Sequence, residues 1–287
     1  MSSRCLAGLL SGLLLAVVAG PAQAQWIEPP GTGWLDLSVS HQNTSHRFSS
    51  EGTVVEFDTE DARSITTTVR LTGALGLVQG VDAWVDVPYH RFAFNDVQAD
   101  RLQTGIADAR VYLRTGPSLV GIDDLPVALA LRGGVKFPVQ AFPVDANVVP
   151  LSDGQRDWEL LLEVGKSLHP WPMYVAGWAG YRWREEKGRG LNPGDERFFN
   201  VSVGGSVDAF QWKLGVDGMY GTPPTQAGLT LDTRTRELVQ VLPTVGWAVG
   251  PGVVKAGVRL PVHGRRVAAG PIGTIGYFLT WDDPLWK

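Results

Sequence analysis

Charged residues recur at every second position in several stretches of this chain, and this spacing limits what chemistry they can perform. In residues 106–114, Asp108, Arg110 and Arg114 alternate with small or apolar residues. A period of two places these two sets on opposite faces of a β-strand. Three charges on one face are too many for a dry core, where an unpaired charge is costly. The charged face must therefore contact water, either on a soluble sheet or inside a membrane barrel.

The same alternation elsewhere predicts a set of ionisable residues that line the interior of such a barrel. The candidate lumen-lining residues are Arg70, Asp82, Asp86, His90, Asp108, Arg110, Arg114, Arg132, Lys136, Glu159, Glu163 and Arg182. Their signs are complementary: the acidic pair at 82 and 86 faces the arginines at 110 and 114. The basic pair at 132 and 136 lies beside the glutamates at 159 and 163, which in turn neighbour the arginines at 182 and 184. This lining could select solutes by charge or pair across strands and stiffen the wall. The sequence leaves both readings open.

Other chemistry finds little support. The sequence contains no GxSxG, HExxH, CxxC or phosphate-binding glycine loop. The five histidines are scattered, and His90 near Asp86 is the closest approach to a catalytic pair, with no nucleophile beside it. We therefore predict no enzyme activity, no cofactor and no metal site. A barrel hydrolase stays the weakest alternative, because the site residues of such an enzyme converge only in the fold.

The elements that position these residues are stretches of about ten residues with period-two alternation, which is typical of transmembrane β-strands. Twelve are predicted, at residues 33–41, 64–77, 81–92, 106–114, 126–137, 157–168, 173–184, 197–209, 211–220, 236–249, 253–260 and 271–281. Their connections alternate between short turns and mostly long polar loops, and both termini fall at the short end. A soluble sandwich has no reason to sort its loops in this way. An outer-membrane barrel has short periplasmic turns and long extracellular loops.

The N-terminus and composition agree with export. Residues 1–24 combine Arg4, an apolar run and an Ala-Gln-Ala cleavage site, which predicts a secretory signal peptide. Residues 25–287 then form a single barrel domain without cysteine, since Cys5 is the only one. That domain has 24 basic and 29 acidic residues, and its mild acidity argues against a nucleic-acid partner. The expected partners are outer-membrane lipid, the barrel-assembly machinery and a small-molecule solute, with the protein a monomer.

Eleven tryptophans are a high count, and several lie near predicted strand ends. Indoles settle at the headgroup level of a membrane, where their polar N–H and apolar ring are both satisfied. Trp34, Trp84, Trp158 and Trp183 are among those that we expect in such girdles. Trp178 lies in mid-strand on the polar face, so we expect it inside the barrel.

Five segments in order carry a family resemblance: DVPYHRF, GIADARVYLR, LPVALALRGGVKFP, WELLLEVGKSL and YVAGWAGYRW. This run, about residues 81–184, resembles the outer-membrane transporter family named for the phenol meta-degradation pathway. Gly105 with Asp108, and Lys136-Phe137-Pro138, match most sharply, whereas Val139-Gln140 depart from the family's usual Thr-Gly. The resemblance implies a β-barrel that passes small solutes, including apolar or aromatic ones, and it transfers no catalytic residue.

Together these patterns predict an all-β protein: a transmembrane up-and-down antiparallel β-barrel of about twelve strands in the cell outer membrane. The predicted function is a channel for small solutes with a charge-lined lumen. The alternative is a structural or surface-interaction barrel whose lumen those same charges close.

Overall fold

A computed structural model describes residues 27–122, 124–140, 151–187 and 190–285; the predicted signal peptide lies outside this part of the chain. Twelve barrel strands are present, the fourth in two pieces. They are β1 Gly33–Thr44, β2 Arg63–Val78, β3 Val81–Asn95, β4a Asp100–Ile106, β4b Asp108–Thr115, β5 Ala128–Pro138, β6 Asp157–Ser167, β7 Met173–Arg184, β8 Glu196–Val207, β9 Phe210–Gly221, β10 Glu237–Val249, β11 Gly252–Arg265 and β12 Ile272–Trp281.

Each strand pairs antiparallel with its neighbours in sequence, and the sheet closes on itself. β12 pairs along β1, with Trp281 opposite Gly33, so that no barrel edge is left unpaired. This confirms the predicted all-β fold, a closed antiparallel barrel of twelve strands. Among the described residues, no helix is long and apolar enough to cross a membrane.

The fourth strand departs from prediction. It is broken at Ala107, where the register against β3 shifts by one residue between the pairs Asp86–Arg110 and Tyr89–Ile106. Pro88 lies opposite this shift and has no N–H to donate to the ladder. The piece before the break, β4a, begins at Asp100, whereas the predicted strand begins at residue 106. It pairs with β3 as far as Asn95 and so lengthens the hairpin at the loop end of the barrel. Val111 and Leu113 are exposed on the outer face as expected, whereas Ala107 and Ala109 are buried. A methyl side chain beside a break and opposite the large Phe137 is easily covered.

The burial pattern is the reverse of that in a soluble protein. Outward positions carry large apolar side chains that are freely exposed, such as Leu37 at 53%, Leu162 at 60% and Ile275 at 57%. Inward positions carry charges with almost no exposure, such as Asp82 at 0% and Lys136 at 1%. An apolar belt of this extent around a closed barrel requires a lipid environment.

The two ends of the barrel differ. At one, the turn end, links such as residues 79–80 and 250–251 are tight, and a short 3-10 helix spans Pro117–Val120. At the other, the loop end, the links are longer and hold short strand pairs. These are His46–Phe48 with Val54–Glu56, and Thr225–Gln226 with Leu191–Asn192 and Leu229–Thr230, beside a 3-10 helix at Asp232–Arg234.

Residues 27–32, the N-terminal strap, run across the turn end of the barrel. The amide of Gly31 donates to the carbonyl of Gly76 in β2, and the amide of Glu28 donates to the Asp82 carboxylate in β3. A side chain at Gly76 would collide with the carbonyl oxygen of Pro29, only 1.9 Å from its Cβ position. The strap therefore depends on a glycine at this position.

The girdle prediction is wrong for two of the tryptophans. Trp34 and Trp84 share strand faces with Asp36 and Asp82, so they point into the barrel, where their rings meet edge to face at 4.9 Å. Strand parity outweighs the preference of indole for the interface. Trp158 and Trp183, directly opposite each other on β6 and β7, are exposed on the outer surface.

Candidate functional site

The inward charges of β2 to β8 form two ion-pair networks, which occupy one wall of the lumen. The central network begins at Asp86, which binds Arg70 at 2.7 Å and Arg110 at 3.0 Å. Arg110 also reaches Glu159 at 3.6 Å. Glu159 binds Arg182 at 2.8 Å and accepts a hydrogen bond from the hydroxyl of Tyr112. Every cation of this series therefore has a carboxylate from a neighbouring strand.

The turn-end network lies behind the N-terminal strap. Asp82 binds Arg114 at 2.6 Å, Arg114 reaches Glu163 at 3.3 Å, and Glu163 binds Arg132 at 2.7 Å. The guanidinium groups of both arginines lie over the ring of Trp84, at 4.7 and 4.5 Å from its centroid. Cation–π contacts and charge pairing together make burial of these four charges tolerable.

Glu196 links the central network to the loop end of the barrel, because it binds both Arg182 and Arg184. At the loop end the network holds a segment of the loop between β5 and β6. Lys136 binds Asp157 at 2.5 Å, Asp153 at 2.6 Å and Asp108 at 3.2 Å. Arg184 binds Asp153 as well, at 3.2 Å. Burial alone would raise the pKa of Asp153, but Lys136 and Arg184 hold it well below its usual range. Asp153 thus stays ionised and fastens its loop to the lumen wall.

Eleven of the twelve candidate lumen residues take part in these networks. Four of the predicted pairings are present: Asp82 with Arg114, Asp86 with Arg110, Arg132 with Glu163, and Glu159 with Arg182. The expected pairing of Lys136 with the glutamates of β6 is wrong. Its ammonium instead binds three aspartates, and one of them lies in a loop whose path the strand pattern does not reveal.

His90 is the one candidate outside the networks. Its Nδ1 is hydrogen-bonded to the hydroxyl of Thr68 at 2.7 Å, so the sequence-based pairing with Asp86 does not form. The Asp86 carboxylate is already occupied by Arg70 and Arg110. Among the described residues, no group of three His, Cys, Asp or Glu side chains is arranged to hold a metal ion.

The opposite wall of the lumen, formed by β9 to β12 and β1, carries fewer charges and several small side chains, although Trp34 and Phe278 also point inward there. Its inward positions include Gly215, Gly246, Gly257, Gly276, Ser38 and Ser40. Among the described residues, Lys255 and Asp36 form the one ion pair between inward positions of this wall, and Asp217 is held by the amide groups of Asn200 and Gln240. We call β9 to β12 with β1 the open wall.

Two cations on the open wall have no partner within the described part of the chain. Lys213 and Arg259 form neither an ion pair nor a hydrogen bond there, although Lys213 lies within electrostatic range of Arg259, Lys255, Asp36 and Asp217. Lys213 is an inward residue and yet is exposed, unlike the buried cations of the networks. Strand alternation is enough to put these two residues on the inward face, but it carries no signal that they lack a partner in the described chain.

Comparisons with known proteins bear on the fold. No protein-family model matches the chain, and no curated protein matches it. It is similar to an outer membrane channel from Pseudomonas putida F1, with a TM-score of 0.71 and 13% sequence identity over 91% of this chain and 99% of that chain. Identity this low establishes a shared fold and nothing finer. The chain thus has the fold of a twelve-stranded outer-membrane barrel.

Two further solved structures are more distant. The translocator domain of the autotransporter NalP from Neisseria meningitidis has a TM-score of 0.47 at 10% identity, covering 88% of this chain and 89% of that one. OmpT of Vibrio cholerae has a TM-score of 0.40 at 10% identity, covering 90% and 100%. At these scores the likeness adds nothing to the assignment of fold.

Proposed function

We propose that this protein is an outer-membrane channel for small solutes. The turn end with both termini faces the periplasm, and the loop end faces outward, which is the arrangement of outer-membrane barrels. The apolar outer belt, the charged interior and the fold shared with an outer membrane channel support this assignment. The resemblance of residues 81–184 to the transporter family supports it as well.

The exposure of Lys213 carries the proposal. In a barrel filled by its own side chains, an inward lysine would be buried, as Lys136 is at 1%. Lys213 is instead exposed, between Gly204 and Thr244 in the strand register. The solute path therefore follows the open wall, whereas the ion-pair networks stiffen the other side. The networks narrow the pore and do not themselves form its path.

The free cations on this path indicate the class of solute. Lys213 and Arg259 offer positive charge that no carboxylate neutralises at close range, so an anionic solute is stabilised in the lumen where a cation is repelled. Asp217 lies within electrostatic range of Lys213 but forms no ion pair with it in the described chain. Its carboxylate accepts hydrogen bonds from the amides of Asn200 and Gln240 instead. We therefore expect small hydrophilic anions to pass in preference to cations. An apolar or aromatic solute that carries a carboxylate would also be favoured, because it is an anion.

The second candidate is a closed structural barrel. The extent of the buried networks and the strap across the turn end favour it, since both reduce the open cross-section. The proposal includes no catalytic step, and the protein acts in it as a monomer.

Conductance distinguishes the two candidates. Purified, folded protein inserted into planar lipid bilayers should give discrete current steps in potassium chloride. A heat-modifiable gel shift would show beforehand that the barrel is folded. Folded protein that inserts without any current step would exclude the channel and favour the closed barrel. Absence of the protein from isolated outer membranes would contradict its location.

A further inference from the structure

The outer surface of the barrel carries a groove of about 510 Å³ that crosses β5 to β9. Ala179 forms its floor, because its methyl group is the smallest outward side chain in the lining, and the backbone of Gly180 lies beside it. Leu160 and Leu162 of β6 form one bank, and Phe199 with Tyr220 forms the other. The lining is almost wholly apolar, and the groove is open to the membrane along the outer face.

The aromatic bank of the groove is fixed by the packing of its two rings. The rings of Phe199 and Tyr220 stack with an interplanar angle of 12°. Phe199 lies across Gly218, whose Cβ would be 2.0 Å from a ring carbon, so any larger residue at 218 would displace the ring. The glycine in β9 and the small residues in β7 thus shape the groove from both sides.

One cation stands at the loop end of this groove. Arg197 is the only charged residue at an outward position of β7, β8 and β9, all of which are described in full. It lies between Tyr181 and Tyr220 in the strand register. No carboxylate lies within 4 Å of it in the described chain. The adjacent Asp195 is already engaged by the hydroxyl of Tyr181 at 2.8 Å and the amide of Arg184 at 2.9 Å.

The position of Arg197 corresponds to a membrane interface. Trp158 and Trp183, both exposed, lie near the same end of β6 and β7, and exposed indoles mark the headgroup level. An arginine at that level keeps its charge among the headgroups while its stem covers the apolar surface below. Anionic headgroups are attracted to such a cation. The groove therefore combines a seat for an acyl chain with a cation placed for a phosphate.

We propose that the groove is a binding site for a phosphorylated glycolipid of the outer leaflet. One acyl chain lies between the leucine bank and the aromatic bank, and a headgroup phosphate pairs with Arg197. The site requires the membrane orientation given above but does not require an open pore.

Native mass spectrometry of the detergent-solubilised barrel with added lipid A tests this site. Arg197→Gln should retain lipid A about fivefold less than the wild type, since it removes one charge-assisted contact. Arg91→Gln is the matched control, because Arg91 is also exposed on the outer face but lies on β3, away from the groove. Ala179→Phe should also reduce retention, by filling the groove while leaving the charge.

The outcomes are decisive. Equal retention by Arg197→Gln and Arg91→Gln would overturn the site, as would wild-type retention by Ala179→Phe in a barrel that still shows its gel shift. Tighter retention of phosphatidylglycerol than of lipid A would overturn the glycolipid. Because the groove is on the outside, all variants should keep the wild-type conductance, so failure of this proposal is distinguishable from failure of the channel.

Discussion

At the scale of single residues, the interior is governed by the cost of burying charge. Lys136 is 1% exposed, and its ammonium lies within 3.2 Å of three carboxylates, those of Asp108, Asp153 and Asp157. A buried pair adds little net stability, but removing one partner leaves the other charge without compensation. Each network therefore stabilises the lumen wall only while all of its charged members are present.

Lys136→Met should accordingly destabilise the barrel. Three carboxylates would lose their shared cation, and we expect the free energy of unfolding to fall by about 3–5 kcal/mol. Denaturant unfolding followed by tryptophan fluorescence measures this change. Lys166→Met, at the exposed end of β6, is the matched control and should change stability little. Equal stability of the two variants would contradict the role given to the network.

Strand alternation in the sequence was enough to place the charges of these networks inside, because parity alone decides the face. It could not assign their partners. Lys136 binds Asp153, which reaches it through a loop, and His90 binds Thr68 rather than the acid on its own strand. Nor could it show that Lys213 would be exposed, because free space depends on the sizes of all the inward side chains together.

At the scale of elements, the N-terminal strap is the part most sensitive to conditions. Glu28 is buried at the turn end, and burial raises its pKa to about 7, with Arg114 opposing this shift and Asp82 and Asp282 adding to it. The docked strap therefore favours the protonated acid. Its docking is strongest below about pH 4.5, the ordinary pKa of glutamate, and weakens as the pH rises through about 7.

Hydrogen exchange at the amides of Glu28 and Gly31 should report this loss. After correction for intrinsic rates, protection should be lower at pH 8 than at pH 5.5. Glu28→Gln cannot ionise, so its protection should be the same at both pH values. A wild-type strap that is equally protected at both would contradict the assigned pKa.

Local sequence patterns predict the barrel strands but not the break in the fourth strand or the docking of the N-terminal strap. Twelve strands and the sorting of short and long links follow from local patterns, and the structure confirms the barrel. The break at Ala107 was not foreseen, because it depends on a one-residue register shift opposite Pro88 in the adjacent strand. The strap was too short to suggest a role until its contacts with Gly76 and Asp82 were visible.

At the scale of the whole molecule, the barrel is asymmetric. One wall is filled by paired charges, whereas the open wall has fewer charges, several small inward residues beside Trp34 and Phe278, and two cations without a partner in the described chain. A barrel that served only as a scaffold would gain nothing from leaving Lys213 and Arg259 without partners in the described chain. The proposed passage of an anionic solute rests on this asymmetry.

The reversal potential across a bilayer with a potassium chloride gradient tests this account most directly. Wild-type channels should show anion preference, and the double variant Lys213→Gln, Arg259→Gln should shift the reversal potential toward cations while retaining conductance. Lys166→Gln, which lies on the outer face, should leave it unchanged. A cation-selective wild type, or a double variant with the wild-type reversal potential, would contradict a solute path along the open wall.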